Sequence, residues 1–386
     1  MSDFAAGARK MSKPGVLLAL FLVALFVADA YATYVVFTSR IPGANDFYSR
    51  WAGARVLIVD GLDPYSDEAT VRIQEGIYGR PAEEGEDLGA FAYPIYVVYL
   101  IFPLVYFSYP VAEAIWLTFL EFSLILGLFL ALRLYRWRPP PWLLAWSCLW
   151  VILFYHSARS ILLGQFAIVV YLLVTLTLLA LEMRRDVWAA IALAFSTVKP
   201  QMVFLLIPFL LLWAFYRRRW RFIVAFAAAM ILLVGSGLLW VPSWIGGFFT
   251  WMSRYPEYTA LGPPLWIVTN VFLPFLGDPV YIGVSIVSLL LLLLAWWRGV
   301  RGDYAEFHWT VALTLLMTNL VALRTATTNY VILYLLLFWG LRLLAERVPR
   351  GNLWVVVVQI VALVGLWALF MTTVVEKFEH PIMYLP

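Results

Sequence analysis

The chain has 386 residues, 64% of them hydrophobic and 17% aromatic, with only 13% charged. No soluble fold hides that much apolar surface, so the composition indicates an all-α polytopic membrane protein. The net charge of +4 comes from arginine-rich loops that the positive-inside rule accounts for, so no nucleic-acid partner is required, and the one cysteine, Cys148, excludes an internal disulfide.

The first apolar run, "PGVLLALFLVALFVADAYATYVVF" from Pro14 to Phe37, is long enough to span a bilayer. It lacks a small-residue cleavage site and reads as a retained signal anchor. Its one acid, Asp29, is expected to hydrogen-bond neighbouring Tyr or Thr hydroxyls. The alternating ten-residue segments of a β-barrel are not seen, which leaves helices as the spanning form.

Residues 38–92 follow, with ten acids against five arginines. In "DFYSRWAGARVLIVDG", Phe47, Trp51, Ala54, Leu57 and Ile58 recur at helical spacing, with Asn45 or Asp46 as N-cap and Gly61 as the stop. "SDEATVRIQEGIYG" repeats the pattern, with Ser66 as cap, Ala69 and Val71 inward, and Gly76 or Gly79 near the end. The two are predicted as amphipathic helices lying on the membrane surface.

Two apolar stretches, 93–108 and 264–276, are short and rich in Pro. As helices each reaches only about 20–24 Å. Each is a short span, a re-entrant segment or an interfacial helix. Further spans are predicted near 110–133, 142–157, 164–182, 187–198, 201–216, 220–240, 279–297, 305–322, 325–345 and 353–374. The total is about 11–13 membrane segments in a single domain over 1–386. If 93–108 does not cross, most of the lysines and arginines fall on one side, including "RLYRWR" and "RRRWR". The positive-inside rule therefore favours a cytoplasmic N-terminus with 38–92 as the first external loop, and the plasma membrane is the expected location.

Ionisable groups at membrane depth cost about 2.5–3.5 kcal/mol each on insertion scales, so they usually mark function. In this topology several polar residues converge on the outer half: Arg159 and Gln165 in "HSARSILLGQF", Lys199 in "STVKPQ", and Arg324, Thr327 and Asn329 in "LRTATTNY". The helix before Lys199 starts after Arg185 and reaches only about 20 Å, short of a core of about 30 Å. Lys199 and Pro200 are expected below the outer surface, at the floor of a water-filled depression. The plainer alternative is a lysine that snorkels to headgroups. For Arg159 and Arg324 the alternative is headgroup contact. Cations suit a phosphate. A carboxylate suits proton abstraction from a hydroxyl. Lipid in the membrane, phosphate at the surface and sugar outside together describe a polyprenyl-phosphate sugar. The three histidines, His156, His308 and His380, are far apart in sequence and suggest no metal cluster.

Four stretches, "NDFYSRWAGARVLIVDGLDPYS", "FAYPIYVVYLIFPL", "RSILLGQFAIVVYLLV" and "AIALAFSTVKPQMVFLLIPFLLL", stand in the order seen in glycosyltransferase family 87. The chain resembles that group of the GT-C superfamily, polyprenol-phosphate-dependent mannosyl- and related sugar transferases, over most of residues 15–345. The resemblance implies a GT-C helix bundle with a catalytic aspartate at the start of the first external loop, where Asp46 stands. It also implies inverting transfer of a hexose or pentose from lipid phosphate to a glycolipid, glycan or protein acceptor, without a nucleotide.

The expected roles are Asp46 as base, Lys199, Arg159 and Arg324 on the donor phosphate, and Gln165, Asn329, Tyr330 and Tyr93 on substrate. No cofactor is expected, although Asp46 and Asp29 leave room for a shared divalent metal. Many relatives carry a His where "TATTNY" offers Asn329–Tyr330. Two other classes compete, a lipid-linked sugar flippase or transporter and a non-catalytic accessory subunit. No repeat symmetry of the transporter kind is visible.

Overall fold

A computed structural model describes residues 13–83, 86–258, 262–322, 325–375 and 379–385. Its α-helices are α1 (Lys13–Thr33), α2 (Asn45–Val59), α3 (Asp67–Tyr78), α4 (Val98–Ile101), α5 (Tyr109–Leu134), α6 (Pro141–Leu153), α7 (Tyr155–Leu162), α8 (Ala167–Glu182), α9 (Asp186–Ser196), α10 (Leu206–Tyr216), α11 (Trp220–Trp240), α12 (Trp244–Tyr258), α13 (Pro264–Ile267), α14 (Gly277–Gly299), α15 (Tyr304–Val321), α16 (Tyr334–Arg347) and α17 (Gly351–Thr373). The predicted apolar segments recur as these helices. Among the described residues six helices are long and apolar enough to cross a membrane, and α6 with α7 form a further pair bent by 51°. The other apolar helices are shorter; α9 and α10, at 11 residues each, reach about 16 Å and need neighbours to complete a crossing.

The first loop departs from expectation. α2 does not lie on a surface. It packs against α3, α5 and the 3₁₀ turn Phe102–Tyr106. Phe47 stacks on Trp116 at 5.0 Å, and Trp51 Nε1 donates to the Leu104 carbonyl at 2.9 Å. Its apolar face is turned into protein because protein is there to receive it. The N-cap is Ala44, in the left-handed region at φ 49°, and Asp46 is the second helical residue. In α3, Ser66 caps as predicted by accepting from Ala69 N, and Gly79 ends the helix at φ 73°. Ala69 and Ile73 point inward, whereas Val71 is 38% exposed; it stands two residues from each, about 200° around a helix. Residues 95–106 form a 3₁₀–α–3₁₀ segment whose Val97, Val98 and Ile101 are buried.

α8 packs on α5 and α9, and α9 on α11. Turns of one kind follow α5, α8 and α10. The bonds Trp137 N to Leu132 O (2.9 Å), Arg185 N to Ala180 O (2.8 Å) and Arg219 N to Ala214 O (2.8 Å) each close a Schellman turn. The left-handed residue is Arg136, Arg184 or Arg218, at φ 54°, 56° and 55°. The three turns share one face. Arg219 Nη1 donates to Leu181 O at 2.8 Å, and the Tyr304 hydroxyl to Leu134 O. At the other end of α8 the same turn uses Gly164, at φ 66°.

Candidate active site

The Gly164 end of the bundle gathers the first set of predicted residues. The strained residue Ala44 sets the entry to α2. Left-handed backbone costs an L-residue about 1–2 kcal/mol. It is held there by the Tyr109 hydroxyl donating to the Gly43 and Ala44 carbonyls (2.6 and 3.1 Å) and by Gly43 N donating to Glu113 Oε1 at 2.9 Å. This aims the first turn of α2, and Asp46 with it, at the α7–α8 turn. A carboxylate in a first turn also lies in the favourable field of the helix N-terminus.

Gln165 Nε2 donates to Asp46 Oδ2 at 2.6 Å, and Lys199 Nζ donates to Gln165 Oε1 at 2.6 Å. One side-chain amide therefore joins a carboxylate to an ammonium. Asp46 is 34% exposed at its side chain, while Lys199 is only 4% exposed. Lys199 does not line an open depression: burial among the helix ends seals it beneath Gln165.

Arg50, one helical turn after Asp46, lies 3.7 Å from Asp46 Oδ1 and donates to the Asp46 carbonyl at 2.8 Å. Its guanidinium covers the Tyr93 ring at 4.4 Å, and Tyr93 packs against Phe166 at 5.5 Å. Burial, opposed by Arg50, pushes the Tyr93 hydroxyl up to about 12. Asp87, exposed as a residue, has its carboxyl raised above the usual range, first by desolvation and then by the negative Asp46. A second carboxylate thus lies within electrostatic reach of the first.

The remaining predicted residues form a separate cluster. Arg159 Nε pairs with Glu379 Oε1 at 3.0 Å, and the Thr327 hydroxyl donates to the same oxygen at 2.6 Å. The Tyr155 hydroxyl donates there too. Tyr330 donates to the Tyr384 carbonyl at 2.8 Å, and Asn329 Nδ2 to Thr325 Oγ1 at 3.2 Å. Among the described residues the side-chain oxygen of Asn329 is buried without a partner, as is Nδ1 of His156, whose ring packs on Tyr330 at 5.1 Å. Arg324 lies outside the described residues. Asp29 faces a second acid, Glu121 of α5, in place of the expected Tyr or Thr hydroxyl.

Three residues here were missed by sequence reasoning. Arg50 was detectable as the i,i+4 partner of Asp46. Asp87 and Glu379 carried no local signal.

A membrane-embedded helical protein whose half-open carboxylate is tied through an amide to a buried ammonium has the parts of a group-transfer enzyme working at the bilayer. Residues 91–322 match the model of glycosyltransferase family 87, more than half of the chain. The chain belongs to that family and is a membrane glycosyltransferase. No curated protein and no solved structure matches it. The matched stretch includes Tyr93, Arg159, Gln165 and Lys199; Asp46 precedes it, and Asn329 and Tyr330 follow it.

Proposed function

We propose that the protein transfers a sugar from a polyprenyl-phosphate donor to an acceptor hydroxyl, with inversion, and that Asp46 is the general base. The observation that carries this is the chain Asp46–Gln165–Lys199. Gln165 holds Oδ2, and Oδ1 makes no hydrogen bond among the described residues, so Oδ1 is the oxygen that takes the proton. The acceptor oxygen bonds to the anomeric carbon as the bond from that carbon to the phosphate oxygen breaks. The proton passes to Asp46 and polyprenyl phosphate leaves.

Lys199 is held in place behind the amide, so the region need not reorganise as charge develops on the leaving phosphate. Arg159, and Arg324 by its residue type, are the further donor-phosphate cations. Tyr93, Asn329 and Tyr330 are assigned to substrate. The acceptor, a glycolipid, glycan or protein, enters from the face that carries residues 38–92, which we place outside the plasma membrane.

Asp46→Asn tests the base. Asn keeps an oxygen for Gln165, so the melting temperature should hold, while transfer from a polyprenyl-phosphate sugar should fall by about 10²–10⁴. Undiminished transfer by a folded Asp46→Asn protein would remove Asp46 from the mechanism.

A further inference from the structure

We propose a second binding site, for a phosphate group bearing a neighbouring hydrogen-bond donor, at the opposite end of α8 from Asp46. Gln165 precedes the first residue of α8 and Glu182 is its last. At 16 residues the helix separates the two ends by about 24 Å. A cavity of about 410 Å³ lies at the Glu182 end, within the range of small-ligand sites. Arg184, Arg217 and Arg219 line it, with Trp213 and Tyr304 as aromatic walls.

The partners of these groups describe the missing occupant. Arg219 is taken up by Asp186 and the Leu181 carbonyl, and Arg217 reaches the Gly302 carbonyl. The Arg184 side chain makes no hydrogen bond or ion pair among the described residues, and its guanidinium is available to an anion. Two buried polar atoms of the same lining, Glu182 Oε2 and His308 Nδ1, lack partners among the described residues. Arg136 occupies only the other Glu182 oxygen, at 2.7 Å. A bare phosphate would suit the arginines and be repelled by Glu182. A phosphate flanked by a hydroxyl or ammonium satisfies both, the arginines on its oxygens and Glu182 on its donor.

The backbone gives separate support. Arg184 and Arg136 occupy left-handed positions where glycine is easier by about 1 kcal/mol, so charge at these positions outweighs backbone comfort. Membrane topology alone explains cations on this face, but lysine serves that purpose as well as arginine. Topology explains neither the cavity nor the unpartnered atoms.

The test uses the full-length protein in phosphatidylcholine nanodiscs, with and without phosphatidylglycerol, and compares wild type with Arg184→Lys and Arg184→Lys/Arg217→Lys. These changes keep the topology signal and remove the guanidinium fork. Native mass spectrometry counts retained phosphatidylglycerol. Calorimetry in phosphatidylcholine alone follows glycerol 3-phosphate and inorganic phosphate.

Retention of phosphatidylglycerol by wild type, about tenfold weaker in the double variant, is expected and identifies a lipid headgroup. Saturable binding of glycerol 3-phosphate that the variant loses supports the same site with a soluble phosphate ligand. Equal behaviour of wild type and variants toward every probe overturns the proposal and leaves the arginines as topology determinants. Should Arg217→Lys fail to fold, Arg184→Lys alone decides, because the Arg184 side chain makes no hydrogen bond or ion pair among the described residues.

Discussion

Gln165 holds two charged groups at once, and its replacement separates their roles. Gln165→Leu leaves the Lys199 ammonium buried without its acceptor, a change expected to cost about 3 kcal/mol and to lower the melting temperature by several degrees. Removing the charge as well, in Gln165→Leu/Lys199→Met, should recover most of that stability while transfer stays lost. Thermal unfolding of the two variants in detergent checks this, and equal stability of Gln165→Leu and wild type would mean that the bridge does not form. The sequence marked all three members of the chain as polar residues in apolar surroundings. It did not show that one amide joins them, because the two bonds link residues 119 and 34 positions apart. Sequence reasoning placed Gln165 on substrate; in the structure one of its N–H groups and its oxygen are engaged with protein.

The helical elements were legible because their borders are chemical: arginine pairs, prolines and glycines bound the apolar runs. The predicted run 110–133 became Tyr109–Leu134, and 220–240 became Trp220–Trp240. What the runs did not reveal is which faces meet protein and which meet lipid. This is why α2 was expected on a surface and is enclosed instead.

The turns between elements give two predictions of opposite sign. Gly164 combines φ 66° with close approach: a Cβ there would lie 2.5 Å from the Cβ of Phe47. Gly164→Ala should cost about 2–3 kcal/mol from left-handed strain plus overpacking. It should also reduce transfer, since the push moves α2 and Asp46 away from Gln165. Wild-type melting and activity would contradict this. Arg218 occupies the same backbone region on the arginine face and is exposed, and its side chain makes no hydrogen bond or ion pair among the described residues. Arg218→Gly should therefore raise stability by about 0.5–1 kcal/mol, read as a higher melting temperature; a lower one would show that the guanidinium has a partner.

Across the whole molecule, chemistry and charge segregate to opposite ends of shared helices. Asp46, Gln165 and Lys199 sit at one end of α8 and α9, and Arg136, Arg184, Arg218 and Arg219 at the other. Single cysteines at positions 60 and 218 in a Cys148→Ala background should be labelled by an impermeant reagent from opposite sides. Labelling of both from one side would overturn the orientation. Residues 379–385 return to the start of α7: Glu379 meets Arg159, Tyr155 and Thr327, and Tyr384 receives Tyr330. Synthesis runs from the N-terminus, so Arg159 enters the membrane long before Glu379 has been translated. Until residue 379 has emerged from the ribosome, that arginine lacks its carboxylate, so this end of the protein matures only after the helices between the two residues have been inserted.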